Sequence, residues 1–440
     1  MRKGMAWATA LLAIPVCARA QQNPQAPPPA VPLAPPRADT SQSAPRRISL
    51  DEAIRLALQH NHALLAARTT ILQNQAQEIT ANLHPNPVLS WDTQFLPLFQ
   101  PSNFTADYFE NQAQFDLGIG YLFERGKKRQ HRLQAAKDQT AVTRAQVTDN
   151  ERQLTFNVSQ QFVNVLLAQS TLDLAQQDYD SFKKTVEISE SRFKAGDMSE
   201  GDLLKIKLQL LQFQSDVLNA GLSKVQALSA LRQAVGFESV PDSFDVEGDL
   251  DYQPVHAGLD DLKLLALRTR PDLQAAHLGI TAAKSQESLA EANGKRDLNV
   301  TFDYTHTGGV NSGAFFFNID LPIFDRNQGE IARTRYAITQ AQEQQNEAAQ
   351  QVITDVVDAY QALKSNDQII QLYRGGYVEQ AQKSRDITEY AYKKGAASLL
   401  DFLDSERTYR ANQLAYRQAL ASYMTALEQM RQAVGTRNLP

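Results

Sequence analysis

Cysteine is nearly absent: the 440 residues hold one, Cys17. Once that residue leaves with the leader described below, a disulfide framework and a thiol nucleophile are excluded. A surplus of one charge is also missing. With 44 basic and 49 acidic residues the formal net charge is -5, which argues against nucleic acid as a partner. Mean hydropathy is -0.41, and past the leader no apolar run approaches the roughly 20 residues of a membrane-spanning helix. Common enzyme motifs are missing as well. There is no G-x-S-x-G, P-loop or H-E-x-x-H, and Gly118-Ile119-Gly120 continues into a strand pattern at Phe123 instead of a dinucleotide turn. We therefore expect no enzyme, no cofactor and no metal site. Finally, glycine and proline are absent for 69 residues from Lys127 to Ala195. As continuous helix that stretch would span roughly 100 Å, far more than a globular domain requires.

What is present begins with a leader. Arg2 and Lys3 precede an apolar run from Met5 to Cys17, and Ala18-Arg19-Ala20 supplies small residues for cleavage, so residues 1–20 read as a secretory signal. Acylation at Cys17 is the rival reading, which the bulky Ile14-Pro15-Val16 disfavours. Residues 21–46 follow as a flexible arm, with eight prolines between Asn23 and Arg46.

The remainder is one plan written twice. Phe193-Lys194-Ala195-Gly196 through Arg232-Gln233-Ala234-Val235-Gly236 aligns, at a spacing of 199, on Tyr392-Lys393-Lys394-Gly395 through Arg431-Gln432-Ala433-Val434-Gly435. Upstream, Leu50 to Ala67 aligns with Leu259 to Ala276 at a spacing of 209. The repeats occupy 47–236 and 258–436, with a linker at 237–257 and a tail at 437–440. Each repeat opens with a helix. The first starts at Ser49 with Glu52 as a capping box and runs to about Leu83; its counterpart restarts at Pro271 and ends near Asn293. Two strands follow in each repeat, at about 86–97 and 112–124, then at about 297–306 and 314–324. A long helix and a return helix complete the unit, and Gly375-Gly376 interrupts the second long helix.

The strands alternate. Trp91, Phe95, Phe115, Phe123, Phe302, Tyr304, Phe315 and Phe317 share one face; Ser90, Asp92, Gln94, Asp116, Asn299, Thr301, Asp303, Asn318 and Asp320 share the other. Four strands cannot close alone, and lipid tolerates no open sheet edge. Several chains must then contribute to one barrel, with Asp92, Asp116, Asp303 and Asp320 lining its lumen. A soluble sandwich, with the aromatic face inside, would need more strands than the pattern supplies.

These residues resemble the TolC family of outer-membrane efflux channels over nearly the whole mature chain, Ile48 to Gly435. The resemblance rests on the duplicated tips, Phe193 to Gly196 with Asp202 and Tyr392 to Gly395 with Asp401. It rests also on Leu321-Pro322-Ile323-Phe324-Asp325-Arg326-Asn327-Gln328-Gly329, wording similar to the cobalt-zinc-cadmium branch that serves resistance-nodulation-division (RND) pumps. It implies a mainly α fold with a small β part, a TolC-like α/β-barrel in which a homotrimer builds a 12-stranded β-barrel in the outer membrane and a helical barrel in the periplasm. It implies a passive efflux duct whose partners are a periplasmic adaptor, an inner-membrane RND pump and outer-membrane lipid. Drug efflux or type I secretion through the same fold is the nearest alternative, and a secreted periplasmic coiled-coil protein the more distant one.

The same resemblance assigns site residues. Gly196 and Gly395, with Ser199 and Ser398, mark tip turns and adaptor contact; Asp401 and Asp404 form a periplasmic aperture; Asp202 and Tyr392 form a gate latch. Where the family often carries a latch arginine, this chain has Ala397. The ordinary role for Asp202 and Asp401 is capping a helix start in S-x-x-D. That role leaves Asp404 unexplained, because its counterpart in the first repeat is Lys205.

Overall fold

The computed structural model describes residues 46–439; the leader, Cys17 and the arm up to residue 45 lie outside the described residues. Arg46, expected at the end of the arm, instead begins strand β1 (Arg46–Ile48), which pairs in parallel with β4 (Phe244–Val246) of the linker. Ile48 is the reason: its side chain is fully buried in the core of the first repeat, and the short ladder holds it there.

After Ser49, whose hydroxyl caps the Glu52 N–H, α1 (Leu50–His60) is followed directly by α2 (His62–Ala81). The expected single helix is thus broken at Asn61. This side chain accepts from the Leu64 N–H at 3.1 Å and donates to the Ala234 carbonyl at 2.9 Å, so a new cap forms inside the helical pattern. Strand β2 (Val88–Gln94), a short helix α3 (Ala106–Asn111) and β3 (Gln114–Phe123) lead to α4 (Lys128–Lys194) and its return helix α5 (Glu200–Val235). Then α6 (Leu259–Thr269) and α7 (Pro271–Asn293) break at Arg270, the repeat equivalent of Asn61. Strands β5 (Leu298–Thr307) and β6 (Val310–Asn318) come next. The chain closes with α8 (Gln328–Leu372), one π turn at Tyr373–Tyr377 in which Gly376 adopts φ 115°, then α9 (Val378–Lys393) and α10 (Leu399–Val434). Among the described residues no helix is long and apolar enough to cross a membrane.

Burial follows the duplication. Ala53, Ala57, Leu231 and Val235 pack one core; their counterparts Leu262, Ala266, Met430 and Val434 pack another. A third, smaller core of Phe182, Val186, Ile206, Phe213, Tyr392 and Phe402 joins the two long hairpins, α4–α5 and α8–α10, toward their tips. Tyr392 and Phe402 are stacked there at 5.1 Å.

Candidate functional site

The four longer strands make an antiparallel sheet in the order β2-β3-β5-β6, leaving β2 and β6 as edges. The two-residue turn Gly308-Gly309, with φ 56° and 73°, closes the β5–β6 hairpin at Thr307↔Val310. The paired residues therefore run from 310 to 318 rather than from 314 to 324, because positive φ at both glycines supplies a tight two-residue turn.

Cross-strand register settles which residues share a face. Ser90, Gly118, Asp303 and Ala314 lie in one row, and Asp92, Asp116, Thr305 and Ser312 in the next. Asp303 lies so close over Gly118 that a Cβ there would meet its Oδ1 at 2.0 Å, which is why this strand carries glycine. The opposite face holds Trp91, 77% exposed, with Phe302, Tyr304, Phe315 and Phe317. Exposed aromatics of this size on one sheet face require a covering medium. Two expected positions fall outside the strands: Phe95, at φ 58°, breaks the alternation after β2, and Asp320 lies beyond Asn318, where β6 ends.

At the tips, Gly196 (φ 83°) and Gly395 (φ 75°) turn each long helix into its return helix, a backbone conformation that favours glycine. Ser199 accepts from the Asp202 N–H at 3.1 Å and Ser398 from the Asp401 N–H at 3.2 Å. Only at Ser398 is the box reciprocal, its own N–H donating to Asp401 Oδ2 at 3.2 Å. Hydrogen bonds from the Ser398 side chain and backbone hold the Asp401 carboxyl below its ordinary range; the Ser199 hydroxyl and Lys205 do the same for Asp202. Asp404 is exposed and accepts from Arg407 at 2.7 Å. Asp202 and Tyr392 are not hydrogen-bonded within the chain. The carboxylate of Asp202 accepts from Ser199 and Lys205, while Tyr392 is buried against Phe402 with the Arg192 guanidinium 5.5 Å from its ring centroid.

Sequence reasoning missed a cluster of charge just above the tips. Arg410 of α10 donates from Nε to Asp178 of α4 at 3.0 Å and from Nη2 to Asp216 of α5 at 2.6 Å, its guanidinium 4.1 Å from the Phe213 ring centroid. One helical turn earlier stands Glu406, buried, with Arg385 of α9 at 3.9 Å. Burial pushes the Glu406 carboxyl up to about 7, against the pull of Arg385. Burial likewise raises Asp178, opposed by Arg410. The signal that could have found them was the duplication itself. At a spacing of 199, Arg410 stands opposite Leu211, Glu406 opposite Lys207 and Arg385 opposite Val186.

The model of the family described as outer membrane efflux protein matches residues 53–237 and 264–436. The cobalt-zinc-cadmium resistance protein CzcC of Cupriavidus metallidurans is 25% identical over 401 residues, covering 88% of each chain. The cation efflux system protein CusC of Escherichia coli K12 is 26% identical over 269 residues, 58% of each chain. Outer membrane protein TolC of the same strain is 25% identical over 314 residues, 66% of this chain and 62% of TolC. A crystal structure of CusC superposes with a TM-score of 0.72 at 19% identity, covering 94% of this chain and 99% of the other. The open-state structure of the Neisseria gonorrhoeae MtrE outer membrane channel gives 0.72 at 20% identity, covering 94% and 98%.

Proposed function

We propose that this chain, which belongs to the outer membrane efflux protein family, exports divalent heavy-metal cations as the exit duct of a tripartite system. The chain is an outer-membrane efflux channel with its long helices in the periplasm. The observation that carries the duct is the sheet. Four strands, aromatic on one face and carboxylate-bearing on the other, end in two unpaired edges at β2 and β6. Lipid leaves no such edge unsatisfied, so three chains joined edge to edge give a 12-stranded barrel, aromatics outward and Asp92, Asp116 and Asp303 inward. A periplasmic adaptor and an inner-membrane pump of the RND type deliver the cargo, since a passive duct supplies no energy of its own.

Cations are favoured as cargo by two relatives whose names specify them, cobalt-zinc-cadmium resistance and cation efflux, and by the carboxylates at the proposed entrance. In the trimer Asp401 and Asp404 form acidic rings. Asp401 carries the stronger field, because Asp404 is partly neutralised by Arg407. A second reading, export of small organic molecules, is favoured by a 23%-identical relative named for pyoverdine export, from Pseudomonas putida. Deleting the gene should sensitise its host to cobalt, zinc or cadmium and not to organic compounds; the reverse pattern would select the second reading. In planar bilayers, Asp401→Ala should weaken block by multivalent cations more than Asp404→Ala does. Block unchanged in the double variant would remove the acidic ring.

A further inference from the structure

We infer that the β2–β3 loop, residues 95–113, is a membrane-seated foot: it folds outward over the aromatic face of the sheet and sets Leu98, Phe99 and Phe104 into the boundary between acyl chains and headgroups of the outer leaflet. This rests on the exit-duct reading above and adds to it the segment that holds the outer rim of the barrel in lipid.

Contacts fix the side on which the loop lies. Strand β3 runs on into α4 past Phe123, and β5 starts from α7 at Leu298, so the loop and the Gly308-Gly309 turn stand at the opposite, outer end of the sheet. At that end register puts Phe115 and His306 on the face of Leu117 and Tyr304, the face turned to lipid. Phe109 of α3 covers Phe115 with ring centroids 6.3 Å apart, and Phe104 packs edge-on against Phe109 at 5.7 Å. The β5–β6 hairpin pins the end of α3: the Gly309 N–H donates to the Glu110 carbonyl at 2.9 Å, and His306 Nε2 lies 3.0 Å from the same oxygen. The loop is therefore clamped to the outside of the wall, away from the lumen row of Asp92 and Asp116.

Its uncovered surface is apolar. Phe99 is 97% exposed, and Phe95, Leu98 and Phe104 are each more than half exposed. A patch of this kind marks a contact with another apolar medium, and through Phe109 and Phe115 it is continuous with the face that lipid already covers. That face is short without it. From Leu117 to Phe123 the strand rises roughly 20 Å, which at the usual tilt covers about 15 Å of an apolar band about 25 Å tall. At the periplasmic end the exposed Leu321, Ile323 and Phe324 extend the band; at the outer end α3 caps the Phe115 row, so the extension falls to the loop. The backbone of the loop also suits lipid, where an unsatisfied donor is costly. The N–H groups of Leu98, Gln100, Asn103, Phe104 and Thr105 donate within the loop, and Pro97 and Pro101 have none to satisfy.

The test uses the full-length trimer in bilayers of outer-membrane lipid, with spin labels on single introduced cysteines. Labels at Leu98→Cys and Phe99→Cys should be several-fold more accessible to oxygen than to a water-soluble nickel chelate, as at Trp91→Cys, whereas Asp92→Cys on the lumen face should give the reverse. Conductance of the Phe99-labelled trimer should equal that of the parent. A Phe99 label reached by the chelate puts the loop in water, and one reached by neither agent puts it beneath a neighbouring copy; either would overturn the foot. A several-fold fall in conductance on labelling would overturn it too, because the loop would then lie over the lumen. A Trp91 label in water overturns the exit-duct reading and the foot with it, while Trp91 in lipid with Phe99 in water overturns the foot alone.

Discussion

The two return helices, α5 and α10, share length, cap, tip turn and closing motif, yet they treat the same face in opposite ways. On α5 that face carries Leu204, Leu208, Leu211, Leu218 and Leu222, each more than half exposed within the chain. On α10 the corresponding positions are Leu403, Arg407, Arg410, Arg417 and Ala421. There Arg410 meets Asp178 and Arg417 donates to Ser170 at 3.0 Å, both on α4 of the same chain. A duplicated unit arranged in a ring explains the contrast: α10 has its neighbour in cis, whereas α5 must find the equivalent neighbour in another copy. The residue that corresponds to Asp178 is Tyr377, in the π turn before α9 and 59% exposed, so where Arg410 meets Asp178 within the chain, the equivalent positions hold an exposed leucine and an exposed tyrosine.

The largest effect should come from breaking that contrast on the α5 side. Leu208→Glu, Leu211→Glu and Leu218→Glu together would place three charges on a face that touches little of its own chain. Burying each leucine contributes about 1.5–3 kcal/mol, and three copies multiply the loss. The variant should keep its helical circular dichroism and elute as a monomer by light scattering. A persistent trimer would refute the assignment of this face to the seam between copies.

How much of this was legible in the sequence depends on the range of the forces involved. Duplication, alternation and tip glycines are local signals, and the hairpins, the polar and aromatic strand faces and the S-x-x-D caps could be read from them. The break at Asn61 escaped because its cap depends partly on the Ala234 carbonyl, 173 residues away. The β1–β4 ladder escaped because three-residue strands have no period. The Arg410 cluster escaped for a different reason: arginine, aspartate and glutamate scattered along helices look like solvated surface, and only packing of four helices makes them buried. Comparing the repeats position by position would have flagged Arg410 against Leu211 and Asp178 against Tyr377, although not that the two meet.

A smaller effect separates Glu406 from its counterpart Lys207. Glu406 is faced by Arg385 and Glu389 of α9 and Asp178 of α4, with Arg410 on its own helix. Its carboxyl titrates near 7 in the folded chain against 4.5 ordinarily. Between those values the folded state keeps a proton that the unfolded state has lost, so stability falls as pH rises through this window and levels off above it. The loss is on the order of 3 kcal/mol. Glu406→Gln should flatten that slope in denaturant titrations between pH 5 and pH 8 and raise stability at the upper end. Lys207 pairs with Glu190 at 2.8 Å on an exposed surface, and Lys207→Gln should leave the slope as it was. A parent protein with no slope would mean that Glu406 is hydrated in solution.

The finest difference between the repeats lies at the two serine caps. Ser199 and Ser398 each receive an N–H three residues on, but the backbone N–H of Ser398 also donates to Asp401, which completes the box. Replacing an N-cap serine by alanine costs about 1 kcal/mol. Ser398→Ala should therefore loosen its tip by about that amount, and Ser199→Ala by about a few tenths less, because the Ser398 hydroxyl also donates to Asp401 at 2.6 Å and so holds the carboxylate that accepts the reciprocal backbone bond, which the Ser199 tip lacks. Amide exchange in the first turns of α10 and α5 measures each tip separately. Since the Ser398 side chain and backbone are also what lower the Asp401 carboxyl, Ser398→Ala should raise the pH at which cation block is lost, while Ser199→Ala should not move it. Equal exchange at the two tips together with an unmoved block would mean that the reciprocal bond contributes nothing measurable in the assembled channel, and that Asp401 is fixed by the helix start alone.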